Sequence, residues 1–102
     1  MIESIEARLD TDGSELRALH ELVDFSGKAV LEIGCGNGRA TWRYADCAAS
    51  VVAIDPRARD IEQAQQRTPE ALRGRVTFVA ADAARLELPS GAFDVALFSR
   101  SI

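Results

Sequence analysis

The chain has 102 residues, 47% of them hydrophobic and 27% charged, and carries 12 basic against 16 acidic side chains for a net charge of -4. That length admits one domain at most, with a modest core that buries about 60–65% of the unfolded chain's surface. The balance is globular rather than disordered, and the lack of a basic excess or basic stripe weighs against nucleic acid as a tight partner. The cysteines, Cys35 and Cys47, and the single histidine, His20, offer no Cys-x-x-Cys spacing, so no zinc or other metal site is expected. The acidic N-terminus does not read as a signal peptide, and no run approaches the roughly 20 apolar residues that span a bilayer. A reducing cytoplasm, with reduced thiols, is the expected compartment.

Ile2, Ile5 and Leu9 recur at spacings of three and four, which predicts a short helix over 2–9. Thr11-Asp12-Gly13-Ser14 breaks it, and Asp12 with Glu15 resembles a capping box. Leu16, Leu19, Leu22 and Val23 form one apolar face, so a helix is predicted over 14–24, ended by Ser26-Gly27. A first strand follows over 29–33, with the near-continuous apolar character of a strand buried on both faces. Three glycines come next, then a predicted helix over 38–48 carrying Ala40, Trp42, Tyr44, Ala45 and Ala48. The second strand runs over 51–54 and ends at Asp55-Pro56. Good helix formers fill 58–67, and Pro69 and Gly74 bracket a short helical turn over 69–73. A third strand is predicted over 76–79, ending near Asp82, then a loop over 83–91 turning at Pro89-Ser90-Gly91, and a fourth strand over 93–98. Alternation of strands and helices at this spacing gives right-handed crossovers and a parallel sheet. The fold class is therefore α/β, Rossmann-like, with helices on both faces.

Ligands of such sheets bind beyond the carboxyl ends of the strands. Gly34 to Gly38, Asp55, Asp82 and Ser99 all fall at such ends, so four segments direct polar residues to one rim. Glycine without Cβ lets a ligand approach the backbone closely, and the loop ends where N–H groups of a new helix would point outward. A nucleotide-like cofactor is the natural occupant. Two readings compete for it. The dinucleotide fingerprint G-x-G-x-x-G fails in either frame, because its last position is Arg39 or Thr41. The observed spacing is G-x-G-x-G, preceded by Glu32, and an acid there suits a cofactor with a positive end, such as the amino group and sulfonium of S-adenosylmethionine. Asp55, closing the second strand, can accept from both ribose hydroxyls in either reading. Asp82 could accept from an adenine amine while the Ala83 N–H donates to the ring, a site outside the dinucleotide fingerprint.

The motifs resemble those of the class I S-adenosylmethionine-dependent methyltransferases, over about residues 14–102. Val30-Leu31-Glu32-Ile33-Gly34-Cys35-Gly36-Asn37-Gly38 is similar to that family's first motif, Val52-Ala53-Ile54-Asp55-Pro56 to its second and Val79-Ala80-Ala81-Asp82-Ala83 to its third. Leu88 to Ser99 is similar to the segment that leads into and along its fourth strand. The resemblance implies a sheet order of 3-2-1-4, continued in the family by three further strands. It implies cofactor contacts from Glu32, Gly34, Cys35, Gly36, Gly38, Asp55, Pro56, Asp82, Ala83 and Ser99, with Ser99 and Arg100 bordering the methyl group. No catalytic residue and no metal ligand is assigned. Ser99-Arg100-Ser101 stands where some members carry an Asn-Pro-Pro-Tyr type of sequence, which points away from an adenine or amide acceptor and toward a small molecule.

On this reading residues 1–13 are an N-terminal extension and 14–102 a partial cofactor-binding domain. The chain is expected to be a fragment, inactive alone, whose last strand would be a bare sheet edge; a natural half-domain that dimerises through that edge is the alternative. Plainer roles stand beside the site roles. Glu32 would serve as an acceptor stabilising the turn, Asp55 as a turn former, Asp82 as a loop carboxylate or cap, Cys35 as loop packing, Trp42 and Tyr44 as packing, His20 and Arg39 as helix-surface residues. A nicotinamide-dependent oxidoreductase, a non-catalytic module and an aminopropyl transferase of related fold remain as other functions.

Overall fold

The computed structural model describes residues 3–8, 25–85 and 91–100, with only the backbone course at residues 3–8 and 100. The helix expected over 14–24 and the Pro89-Ser90 turn lie outside the described residues. Five strands make one sheet: β1 (Glu3–Arg8), β2 (Ala29–Ile33), β3 (Ser50–Asp55), β4 (Val76–Ala80) and β5 (Val95–Arg100). Their order is β1-β5-β2-β3-β4, and every pairing is parallel. The four strands expected from the sequence thus stand in the expected order 3-2-1-4, with β1 added beside the last.

That fifth strand corrects two expectations. Of the helix expected over 2–9, the described residues are a strand: Glu3 to Arg8 pair in register with Val95 to Arg100. A run this short is ambiguous by spacing, and Ile5 and Ala7 alternate with Glu6 and Arg8 as well as they suit a helix. A strand edge with unmet N–H and C=O groups decides such a case. For the same reason the edge of β5 is not bare, since β1 hydrogen-bonds along it.

The core follows from the two-residue period of the strands. Val30, Val51, Ala53, Val76, Phe78, Val95 and Leu97 share one face and are buried with Phe25, Tyr44, Ala45, Ala48 and Leu72. Helix α1 (Ala58–Arg67) adds Ile61 and Ala64, three residues apart on one stripe, while most of its other side chains meet water. Asp60 in its first turn suits the helix dipole, and Pro69 stops it, since the residue before proline avoids the helical region. Glu70–Leu72 form the expected short 3-10 turn.

The helix expected over 38–48 is instead a chain of tight turns around a 3-10 turn at Thr41–Arg43. The Tyr44 and Ala45 N–H groups both donate to the Thr41 carbonyl, at 3.3 and 3.0 Å. A 3-10 turn eclipses side chains three apart. Thr41 and Tyr44 therefore face the same carboxylate on β2, and β-branched and aromatic residues give little helical propensity to oppose this winding. The last strand also starts two residues later than expected. Asp94 fixes its entry by donating its N–H to the Ala29 carbonyl (2.8 Å) and accepting the Ala29 N–H on Oδ2 (2.9 Å). Ser99 consequently lies inside β5 rather than beyond its end.

Candidate functional site

Because the strands are parallel, the tips of β2, β3, β4 and β5 lie along one edge of the sheet. The glycine loop after β2 is stapled to β3, with the Gly34 and Cys35 N–H groups both donating to the Ile54 carbonyl at 2.9 and 3.1 Å. Gly34 has φ +84°, and a Cβ there would stand 2.3 Å from the Ser99 carbonyl oxygen. Only glycine satisfies both the left-handed backbone and the contact with β5. The Gly38 N–H donates to the Cys35 carbonyl at 3.1 Å, and the Gly36 N–H to Asp55 Oδ2 at 3.0 Å. Four of the loop's N–H groups are thus engaged by protein acceptors.

Glu32 sits beneath this loop, fully buried. Its Oε1 accepts from the Thr41 hydroxyl (2.7 Å) and the Tyr44 hydroxyl, and its Oε2 from the Ser99 hydroxyl (2.6 Å). Ser99 Oγ also lies 3.2 Å from the Gly34 carbonyl. Burial raises the Glu32 pKa, and the three hydroxyls hold it back only in part. Burial, together with the neighbouring Glu32 charge, likewise pushes the Tyr44 hydroxyl well above 10.0. Cys35 is buried, its Sγ 3.5 Å from the Gly36 carbonyl, and burial plus the Glu32 and Asp55 charges push its thiol far up. It is loop packing, not a nucleophile.

Asp55 closes β3 and is 2% exposed. Oδ1 accepts the Arg57 backbone N–H and Arg57 Nε, both at 2.9 Å. Oδ2 accepts the Gly36 N–H and Arg57 Nη2, both at 3.0 Å. Burial would raise the Asp55 pKa, yet the hydrogen bonds from Arg57 and Gly36 and the Arg57 charge outweigh it and lower it. Pro56 follows on the surface. Asp82 differs: it is exposed, and its Oδ1 accepts the Ala84 N–H at 3.0 Å, capping the Ala83–Arg85 turn. The Ala81 N–H on the Asp55 carbonyl (3.1 Å) ties the two tips together.

The fold therefore brings Glu32, Gly34, Cys35, Gly36, Asp55 and Ser99 into one hydrogen-bonded cluster. Asp82 and Ala83 stand beside it on the same edge, joined through backbone. Gly38 packs under Trp42, whose ring meets Phe78 edge-on at 5.3 Å. Three residues of the cluster escaped the sequence reading. Arg57 is signalled only by its place two residues after Asp55 in a turn. Thr41 and Tyr44 are signalled by their spacing of three, once the turn is known to be 3-10. Among the described residues, no group of three or more His, Cys, Asp or Glu could hold a metal, and no helix is long and apolar enough to cross a membrane. A depression over the start of β4, lined by Thr68, Gly74, Val76 and Thr77, lies at the far end from this cluster.

Comparison with known proteins shows what the chain is similar to. A family model described as a methyltransferase domain matches residues 30–102. The magnesium-protoporphyrin O-methyltransferase of Rhodobacter capsulatus is 41% identical over 71 residues, 70% of this chain and 31% of that protein. The tRNA U34 carboxymethyltransferase of Saccharophagus degradans is 35% identical over 60 residues, 58% of this chain and 18% of that one. A methyltransferase from Thiobacillus denitrificans, solved with S-adenosyl-L-homocysteine, superposes with TM-score 0.66 at 30% identity, covering 88% of this chain and 36% of its own. The chain thus spans under a third of the length of these curated relatives. With its glycine loop, strand order and acidic tips inside the matched span, the chain belongs to the methyltransferase-domain family.

Proposed function

We propose that the rim formed by the tips of β2, β3, β4 and β5 binds S-adenosylmethionine, and that the longer protein transfers its methyl group to a small-molecule acceptor. The observation that carries this is the donor set. Gly34, Cys35, Gly36 and Gly38 direct their N–H groups to protein acceptors, so they do not form the amide cradle that a pyrophosphate requires. The side chains at the rim are acidic instead: the Asp55 carboxylate at its centre, covered by the half-exposed Arg57, and the exposed Asp82 beside it. Such a surface suits a ligand with hydroxyl donors, an exocyclic amine and positive charge better than an anionic dinucleotide.

When bound, the cofactor supplies a methyl group already activated by its sulfonium charge, so the protein's part is placement. Asp55 would take the ribose diol. Asp82 and the Ala83 N–H would face the adenine, with Pro56 walling the ring between the two tips. The Gly34–Gly38 backbone would lie along the methionine portion, with Cys35 filling the loop from behind. Glu32 acts from below: with both oxygens held by three hydroxyls, it fixes the loop against Thr41 and Tyr44 on one side and Ser99 on the other. No group on the rim is placed as a general base. A small-molecule acceptor is favoured by the net charge of -4, which opposes the phosphate contacts that hold tRNA.

The test is thermal. S-adenosylhomocysteine at about 100 times its Kd should raise Tm by an amount equivalent to about 2.7 kcal/mol, whereas NADH should not raise it. A shift with NADH alone would replace this reading by the oxidoreductase one. Salt-dependent retention on tRNA of the longer protein would replace the small-molecule acceptor.

A further inference from the structure

The Asp55 carboxylate accepts four hydrogen bonds, as many as its two oxygens have lone-pair sites. They divide into two kinds. The backbone N–H groups of Gly36 and Arg57 set the carboxylate's orientation, one on each oxygen. The remaining site on each oxygen is filled by the Arg57 guanidinium, Nε on Oδ1 at 2.9 Å and Nη2 on Oδ2 at 3.0 Å. That fork-on-fork geometry is the one a vicinal diol would use, with two donors side by side on two carboxylate oxygens.

We propose that Arg57 is an internal competitor for the ribose diol, so that cofactor binding requires its guanidinium to leave Asp55 and its presence sets the affinity of the site. This rests on the cofactor reading above. Two further observations fit a departing arm. The Arg57 side chain is 55% exposed while Asp55 is 2% exposed, so the guanidinium can swing into water without disturbing the core. A second acceptor is already in place: Arg57 Nε lies 3.2 Å from Asp60 Oδ2, in the first turn of α1. Rotation away from Asp55 transfers the guanidinium to that carboxylate, while the two backbone N–H groups keep Asp55 aimed. The exchange leaves one vacant site on each Asp55 oxygen for each ribose hydroxyl.

The experiment is calorimetric titration of the full chain with S-adenosylhomocysteine. Arg57→Met, which keeps the stem and removes the fork, should tighten binding about three- to tenfold, with circular dichroism reporting an unchanged fold. Arg57→Gln, which leaves one weaker neutral donor, should fall between. Salt screens the half-exposed Arg57 charge and so loosens its hold on the buried Asp55, so the wild-type affinity should rise modestly with salt while that of Arg57→Met stays level. Unchanged or weaker binding by both variants, or a wild-type affinity indifferent to salt, overturns the competitor role and leaves the cofactor reading standing. Absence of binding by wild type and both variants alike overturns the two together.

Discussion

Asp55 and Asp82 hold equivalent places in the sequence, each an acid that follows an apolar strand, yet the fold treats them in opposite ways. Asp55 is buried, oriented by two backbone N–H groups, paired with Arg57 and held below the ordinary carboxylate pKa. Asp82 is exposed and caps one short turn. The carboxylate at the tip of β3 is therefore aimed before any ligand arrives, with Arg57 holding its two outward sites, and the tip of β4 is open. Preorganised groups give more affinity per contact than groups that must be ordered on binding. The difference also has a cause. The loop after β2 crosses above Asp55 and lends it the Gly36 N–H, whereas β4 is the far strand of the sheet, with no loop beyond it among the described residues.

The change expected to break this comparison most severely is Gly34→Ala. It places a side chain on a φ of +84° and a Cβ 2.3 Å from the Ser99 carbonyl oxygen. Strain from the left-handed backbone alone is about 1–3 kcal/mol, and the clash is with backbone that cannot rotate aside. For a small domain this is a large share of a total near 5–15 kcal/mol. Little folded protein should be recovered, and recovery of a normal melt would show that β5 yields to the loop.

Next in size is Tyr44→Phe. It removes one hydroxyl from the buried Glu32 carboxylate, and hydrogen bonds to charged groups contribute about 1.5–3 kcal/mol. In a domain of 60–100 residues each kcal/mol lowers Tm by about 4–8 °C, so calorimetry resolves the loss. The same cluster carries a pH signature. Glu32 has a folded pKa raised above its unfolded value near 4.5, so the folded state binds its proton more tightly. The stability it confers is complete below pH 4.5 and is lost as pH rises through the folded pKa. Glu32→Gln removes that titration. Measured against this variant, wild type should lose ground steadily as pH rises above 4.5, and parallel pH curves for the two would place the ionisation elsewhere.

A third change sharpens the contrast directly. Asp55→Asn should weaken S-adenosylhomocysteine binding by about 1–3 kcal/mol, the usual consequence of stranding buried donors. Asp82→Asn should weaken it less, because an exposed acceptor is readily replaced by water. Equal losses by titration would mean that preorganisation at the β3 tip contributes nothing to affinity.

How much of this was legible beforehand depends on which forces were local. Four of the five strands were readable because continuous apolar runs and the glycine spacing are properties of single segments, as Val30 to Gly38 illustrates, whereas their order came from the family resemblance. The helix expected over 38–48 failed because Thr41 and Tyr44 answer to Glu32, a partner on another element. The helix expected over 2–9 failed because the edge of β5, some ninety residues away, decides the conformation of Glu3 to Arg8. The acids of the rim were found by their positions at strand ends, but the state of Asp55 was not. Nothing in Asp55-Pro56-Arg57 says that the guanidinium folds back onto the carboxylate rather than into water. Ser99 was singled out for its place at the end of the last strand, and its hydroxyl proves to face Glu32 from inside that strand rather than from beyond it.

The mildest probe compares the two thiols. Cys35 lies in the glycine loop with its pKa driven up by burial and by the Glu32 and Asp55 charges, whereas Cys47 is exposed at the surface. Alkylation proceeds through the thiolate and needs access, so both requirements fail at Cys35 while the loop stays closed. Iodoacetamide at neutral pH should label Cys47 and leave Cys35 intact, with the second label appearing only in denaturant, as read by mass spectrometry of the peptides. Labelling of Cys35 at a rate that rises with the population of locally opened molecules would be a clock for the loop itself. Because Gly34, Cys35 and Gly36 are all tied to β3, that clock should slow when a ligand seals the rim. It should run faster in Tyr44→Phe, where the support beneath the loop is weakened and the acidic tip above it is left unchanged.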